Sequence, residues 1–141
     1  MKKTLRLIGM ALCAMVFCLS LTACSDDDDD DNFDPTGFVD KDNALVGSWQ
    51  YTASGNGWSD KESITFYTDG TYSEEEEDVD HKGTETSWEK GIWNTNSTKT
   101  QILFTITDSS DRHEIGDRDI ENYVINGDKL ILDKKTYSRV Q

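Results

Sequence analysis

The chain has 141 residues, with 14 Lys and Arg against 28 Asp and Glu and a formal net charge of −14 at pH 7. A surface this acidic is repelled by phosphate, so nucleic acid and anionic lipid headgroups are poor partners and nucleic-acid binding is set aside. All three cysteines, Cys13, Cys18 and Cys24, fall in the first 24 residues, which leaves no disulfide, zinc-thiolate site or thiol nucleophile for the body of the chain. At the amino terminus Lys2, Lys3 and Arg6 precede an apolar run from Leu7 that ends in small residues. That is the layout of a secretory signal, not of a spanning helix.

Leu21-Thr22-Ala23-Cys24 closes that run and resembles the lipobox of bacterial lipoproteins. The resemblance implies that residues 1–23 are removed and that Cys24, diacylated on its thiol, becomes the mature N-terminus and a membrane anchor. Three basic residues and no acid leave with the signal, so 11 basic side chains remain against 28 acidic ones, a net charge of −17. Ser25 follows, then Asp26, Asp27, Asp28, Asp29, Asp30 and Asp31. Six adjacent like charges repel and offer no apolar face to offset chain entropy, so residues 24–43 are expected to form a disordered tether. Its 19 residues after Cys24 span roughly 60 Å at full extension. A flexible polyanion has no fixed cage for a particular metal, which favours tether over cation site. The order cysteine, serine, polyaspartate resembles the export signal of Bacteroidota-type surface lipoproteins, which implies the outer leaflet of the outer membrane and display at the cell surface.

From Ala44 onward the chain alternates in short segments punctuated by glycine, with no apolar period of helical length. Residues 46–53 carry Trp49 and Tyr51 on one parity, and residues 62–67 carry Ile64 and Phe66 on one parity. At Asp69-Gly70 only a three-residue loop, with Gly70 in the left-handed region, sets Tyr72 opposite Phe66 and keeps Ile64, Phe66 and Tyr72 on one face. Tyr72 runs into Glu74-Glu75-Glu76-Glu77-Asp78, whose self-repulsion and poor strand propensity predict a strand that frays or projects. Residues 86–94 carry Gly91 and Trp93 opposite in parity to Trp88 and Ile92, and residues 100–107 set Ile102, Phe104 and Ile106 against Leu103. Residues 108–119 read as a charged loop. Tyr123 and Ile125 then lead through Asn126-Gly127-Asp128-Lys129 to Leu130 and Leu132, with Ile125 paired to Leu130 across a four-residue loop. A last strand over residues 136–140 turns either Tyr137 and Arg139 or Ser138 and Val140 inward. About eight short strands with hairpin-length connections predict a small all-β, up-and-down antiparallel barrel.

Gly47-Ser48-Trp49, Ile64-x-Phe66-x-x-Asp69-Gly70-x-Tyr72, Gly91-x-Trp93 and Tyr123-x-Ile125-x-Gly127-Asp128-x-Leu130-x-Leu132 resemble the small lipocalin-like domains of secreted bacterial lipoproteins. The resemblance covers residues 44–141 and departs at the acidic strand and at the hydrophilic stretch 109–118. It implies a barrel and, by likeness to the tryptophan-arginine pair of lipocalins, a closing contact between Trp49 and Arg139. It implies little about chemistry.

No catalytic constellation stands out. His81 and His113 lie in charged surface segments without partner motifs, so no enzyme activity and no cofactor is expected. Asp78-x-Asp80-x-Lys82-Gly83 with Glu89 follows the spacing of an EF-hand loop at four positions. Lys82 would place an ammonium in the oxygen cage, however, and neither flank is helical, so Asp78, Asp80 and Glu89 are only a weak metal candidate. Trp49, Phe66, Tyr72, Trp93, Phe104 and Tyr123 share the inward parity, and an eight-strand interior is filled by such side chains or holds one small ligand. Filling is favoured. Trp58, in a loop over residues 55–60, together with Trp88 and Tyr67, is expected outside as ligand contacts. The sequence therefore predicts a monomeric binding module. It presents its outer face or loops to a glycan or protein, or else it carries a small apolar or amphipathic ligand inside.

Overall fold

The computed structural model describes residues 35–141. The signal segment, Cys24 and the acid run from Ser25 to Asp31 lie outside the described residues. Period-two alternation of side chains builds eight strands: β1 (Gly47–Gly55), β2 (Trp58–Phe66), β3 (Thr71–Asp80), β4 (Gly83–Thr95), β5 (Gln101–Ser109), β6 (Arg118–Asn126), β7 (Lys129–Leu132) and β8 (Lys135–Arg139). Each pairs antiparallel with the next, and β8 returns to β1 through Trp49↔Arg139 and Gln50↔Ser138. The architecture is a closed, all-β, up-and-down barrel, as the alternation predicts.

Turn chemistry sets the register. Phe66 pairs with Tyr72 across Thr68-Asp69-Gly70, with Gly70 at φ +88° and Tyr67 N–H donating to Thr71 O at 2.9 Å. This is the three-residue loop that the inner-face argument selects. Ile125 pairs with Leu130 as expected, but Asn126 also pairs with Lys129, so the loop tightens to Gly127-Asp128. On β8, Tyr137 is buried and Arg139 inward, while Val140 is exposed.

Four expectations are corrected. The acidic strand neither frays nor projects, because β3 is paired along residues 72–79 with β2 on one side and β4 on the other. The pleat explains this: Glu75 and Glu77 face out while Glu74, Glu76 and Asp78 turn in, where β8 supplies a lysine. Trp58 is the first residue of β2, paired with Gly55, and the loop is only Asn56-Gly57. The charged loop shrinks to residues 110–117, since β5 runs to Ser109, and it contains a single 3-10 turn at Arg112–Glu114. Residues 35–43, expected in the tether, lie against the barrel. Asp40 bridges Thr95, and Lys41 Nζ donates to Trp93 O at 2.8 Å and stands 5.0 Å from that ring's centroid. Tyr123 Oη donates to Asp42 at 2.9 Å. Composition hid these contacts because each is made to a residue more than fifty positions away.

Up-and-down connectivity gives the barrel two ends. The near end, where the amino-terminal segment joins, holds the loops at 68–70 and 127–128, the connection at 96–100 and the carboxy terminus. The far end holds the loops at 56–57, 81–82, 110–117 and 133–134. Between them β4 bends at a register shift between Lys90 and Gly91. A Cβ at Gly91 would come 2.0 Å from Thr105 O and 2.7 Å from Tyr72 Cε1. Gly91→Ala should therefore lower the unfolding free energy by about 1–3 kcal/mol in urea titrations, as overpacking does. Gly37→Ala, where a Cβ meets open space, should leave it unchanged.

Candidate functional site

At the near end the interior is apolar and packed. Phe66 meets Trp93 edge-on at 5.3 Å between centroids and Tyr72 meets Phe104 at 4.9 Å, with Phe66 and Phe104 at 6.1 Å. Trp49, Phe66, Tyr72, Trp93, Phe104 and Tyr123 are all buried in one cluster with Leu45, Ile64, Ile102, Leu130, Leu132 and Tyr137. Arg139 closes the floor. Its guanidinium carbon sits 4.0 Å from the Trp49 ring centroid, and its nitrogens donate to Val46 O at 2.9 Å and Ala44 O at 2.8 Å. Trp49 Nε1 donates to Leu45 O at 2.8 Å. Gly47 makes room, since a Cβ there would lie 2.8 Å from Arg139 Nη1.

Toward the far end the same inner face becomes acidic. Asp60 pairs with Asp78 and Asp78 with Glu85; one rung deeper Glu62 pairs with Glu76; deeper still Glu74 pairs with Glu89. Lys135 of β8 reaches into these rungs. It pairs with fully buried Glu62 and lies 3.7 Å from Asp60 and 4.0 Å from Glu76, with its ammonium 4.9 Å from the Tyr51 ring centroid. Tyr137 Oη also donates to Glu62, and Tyr72 Oη donates to Glu89 at 2.8 Å. Burial alone would depress the lysine's pKa; Glu62, then Asp60 and Glu76, outweigh it and hold the ammonium above its ordinary value.

Sequence reasoning missed this network, although the signal was present: Glu62 has the parity of Ile64 and Phe66. Among the described residues, Asp60, Glu76 and Asp78 bring carboxylate oxygens within 4.8 Å of one another, close enough to share a cation. The EF-hand-like trio is not brought together. Asp78 and Glu89 stand four residue positions apart, roughly 13 Å along the strands, and Asp80 is spent on the turn, accepting from Lys82 N–H at 2.7 Å and Gly83 N–H at 3.2 Å. His81 and His113 are exposed in the β3–β4 turn and the 3-10 turn.

The outer face of β2, β3 and β4 carries a groove of about 290 Å³, lined by Lys61, Ser63, Glu75, Glu77, Thr86 and Trp88 and reaching Glu76 and Ser87. Trp88 is 40% exposed, with Lys90 Nζ 5.4 Å from its ring centroid on the near-end side. Tyr67, 45% exposed, lies on the same outer face and meets Ser73 Oγ at 3.2 Å. Trp58 does not join them. It has inward parity at the far-end rim, where its indole covers Gly55 so closely that a Cβ there would lie 2.2 Å from Nε1, and it remains 48% exposed. A flexible loop gave no reason for this tryptophan; a glycine across the strand pair does.

No family model matches the chain, and no curated protein matches it in sequence. Among solved structures the chain is similar to the lipoprotein YedD from Klebsiella pneumoniae subsp. pneumoniae MGH 78578, at 16% identity and a TM-score of 0.49 over 74% of this chain and 78% of that one. That likeness assigns no chemistry to any residue here.

Two expected outcomes test the interior. Lys135→Met strands a buried Glu62 carboxylate and should cost about 3–5 kcal/mol, with much of the loss recovered in the Lys135→Met, Glu62→Gln double variant, by urea titration. At the rim, Trp58→Ala should cost about 1 kcal/mol or less by the same measurement, well short of a core aromatic truncation.

Proposed function

We propose that this protein is a lipid-anchored accessory module, held to the outer membrane through Cys24, that binds a glycan on the outer face of β2, β3 and β4. The observation that carries the reading is Trp88 standing exposed beside a polar groove while the barrel interior is occupied by its own side chains. An apolar guest would have to displace packed aromatics or lie against carboxylates, and both are costly. A groove of this volume lies at the small end of ligand clefts. Its lining suits an amphipathic ring. One flat indole offers an apolar platform, while Ser63, Thr86, Lys61, Glu75 and Glu77 around it offer hydroxyl, ammonium and carboxylate partners for sugar hydroxyls. A protein hot spot would instead call for clustered apolar anchors.

The lipobox and acid run complete the reading. Lys41, Asp42 and Leu45 hold the segment before β1 against the near end of the barrel. The protein acts by binding, not by catalysis.

Trp88→Ala should abolish retention on a polysaccharide and glycan array while leaving the melting temperature within about 2 °C of wild type, as surface substitutions do. Retained binding would refute the groove. Separately, Cys24→Ala should leave the precursor unlipidated, and neutralising Asp26 to Asp31 should keep the lipid but lose surface display. Protease shaving of intact cells reads the second outcome, since continued cleavage would refute the export role.

A further inference from the structure

β5 leaves β4 before β4 ends. Their ladder stops at Glu89↔Ser109, and one step beyond it Ser110 N–H donates to Trp88 O at 2.8 Å while Trp88 N–H donates to Ser110 Oγ at 3.1 Å. The 110–117 loop then turns back along β5, where Gly116 N–H donates to Ile106 O at 2.9 Å. From Ser87 to Gly83, β4 is therefore paired with β3 on one side and, among the described residues, with no strand on the other. Successive residues of a strand direct their N–H and C=O groups to opposite sides. Those of Thr84 and Thr86 share the direction of Trp88 and point out of the sheet edge, and among the described residues no backbone group meets them. Gly83, Thr84, Glu85 and Thr86 are exposed, and a Cβ at Gly83 would meet open space.

An open edge is a template for another strand, and folded proteins blunt it with proline, lysine, a bulge or an inward-pointing charge. Residues 83–87 read Gly-Thr-Glu-Thr-Ser and carry one such guard, Glu85. Its neighbour across the β3–β4 ladder is Asp78, with Asp60 beyond on β2, so this guard turns away acidic strands. A second copy of the chain, as acidic as the first, is among those turned away. A basic strand is not, because a lysine or arginine directly opposite Glu85 forms a favourable cross-strand pair. The edge is also preformed. β3 and β4 stay in register out to Asp80↔Gly83, and Asp80 closes the turn by accepting from the Lys82 and Gly83 N–H groups, so an incoming strand has only itself to order.

We infer that the free edge of β4, residues 83–87, docks an extended basic segment of a partner protein by antiparallel strand addition. Antiparallel pairing is the more stable arrangement per residue. Thr84 and Thr86 exchange backbone hydrogen bonds with the two residues opposite them, whose side chains lie on the outer face. Glu85 receives the basic residue between those two on the inner face. So short a contact is far smaller than a standard interface, and the complex is weak and quickly exchanging. The docking does not depend on what the outer groove binds.

The probe is a peptide of alternating threonine and lysine, about eight residues long, titrated at low salt into the isotope-labelled mature chain and followed by amide chemical shifts. Saturable shifts should centre on residues 83–87, and solvent exchange of the Thr84 and Thr86 amides should slow by about fivefold or more. Two isomers of the peptide, with equal numbers of backbone N-methyl groups, decide the geometry. Methyl groups on the threonines block the donors that face β4 and should weaken binding by about tenfold or more; on the lysines they point away and should weaken it by less than about threefold. Glutamate in place of lysine in the peptide should abolish binding. In the protein, Thr86→Pro removes an edge donor that the β3–β4 ladder does not use and should weaken binding by about tenfold. Should that variant fold poorly, Glu85→Lys should weaken it as much through charge alone. Absent shifts on β4, equal effects of the two methylated isomers, or no loss in Glu85→Lys would overturn the strand addition. Shifts centred on Asp26 to Asp31 would also overturn it, because the acid run would then hold the peptide. So would dimerisation of the peptide-free chain that Thr86→Pro abolishes, because a second copy would then occupy the edge.

Discussion

The seam between β1 and β8 is held by side chains as well as by backbone. Trp49↔Arg139 and Gln50↔Ser138 pair across it, Val140 N–H donates to Ser48 O at 2.9 Å just beyond them, and the three inward side chains of β8 extend this short ladder. Arg139 lies on Trp49 and bonds the carbonyls of Val46 and Ala44, while Lys135 and Tyr137 reach across to Glu62 of β2. A strand of five residues thereby fastens the start of the barrel from floor to waist. The outer wall hangs on the same contacts, since Glu62 sits between Lys61 and Ser63, which line the Trp88 groove on the other face.

That arrangement divides the interior in two. Phe66 meets Trp93 and Tyr72 meets Phe104 edge to face in the apolar half; around Glu62 and Lys135 the inward positions of β2, β3 and β4 are mostly carboxylates. The divide follows the length of the strands. β1 to β4 run nine to thirteen residues, whereas β7 and β8 have four and five, so the long strands continue past the short wall and their upper inner face has no apolar partner to bury. Charged residues there are consistent with solvent reaching the rim, and the lysine of β8 marks the height at which burial begins.

The docked amino-terminal segment has a similar logic. Leu45 is fully buried beneath the near end, and Asp42 and Lys41 meet Tyr123 and Trp93. Burial and the Asp42 hydrogen bond raise the pKa of the Tyr123 hydroxyl, so it stays a donor. Residues that composition would leave to a linker thus serve as the barrel's base plate.

Much of this was legible in the sequence. Alternation at Trp49 and Tyr51, at Ile64 and Phe66, and at Leu130 and Leu132 determined strands, inner faces and all-β class, because a pleat turns side chains by a period of two regardless of context. Asp69-Gly70 determined its own loop, since a one-residue slip would have turned Tyr72 outward. What tertiary structure alone decided was the fate of charge. Glu74 to Asp78 read locally as a strand that could not hold, yet repulsion within one strand yields to the partners of two others, with Glu76 near Lys135 of β8, fifty-nine positions along the chain. Trp58 and residues 35–43 were misread for the same reason. A glycine across a hairpin and a tyrosine across a barrel leave no mark on local composition, because the energy of a contact depends on where the chain returns.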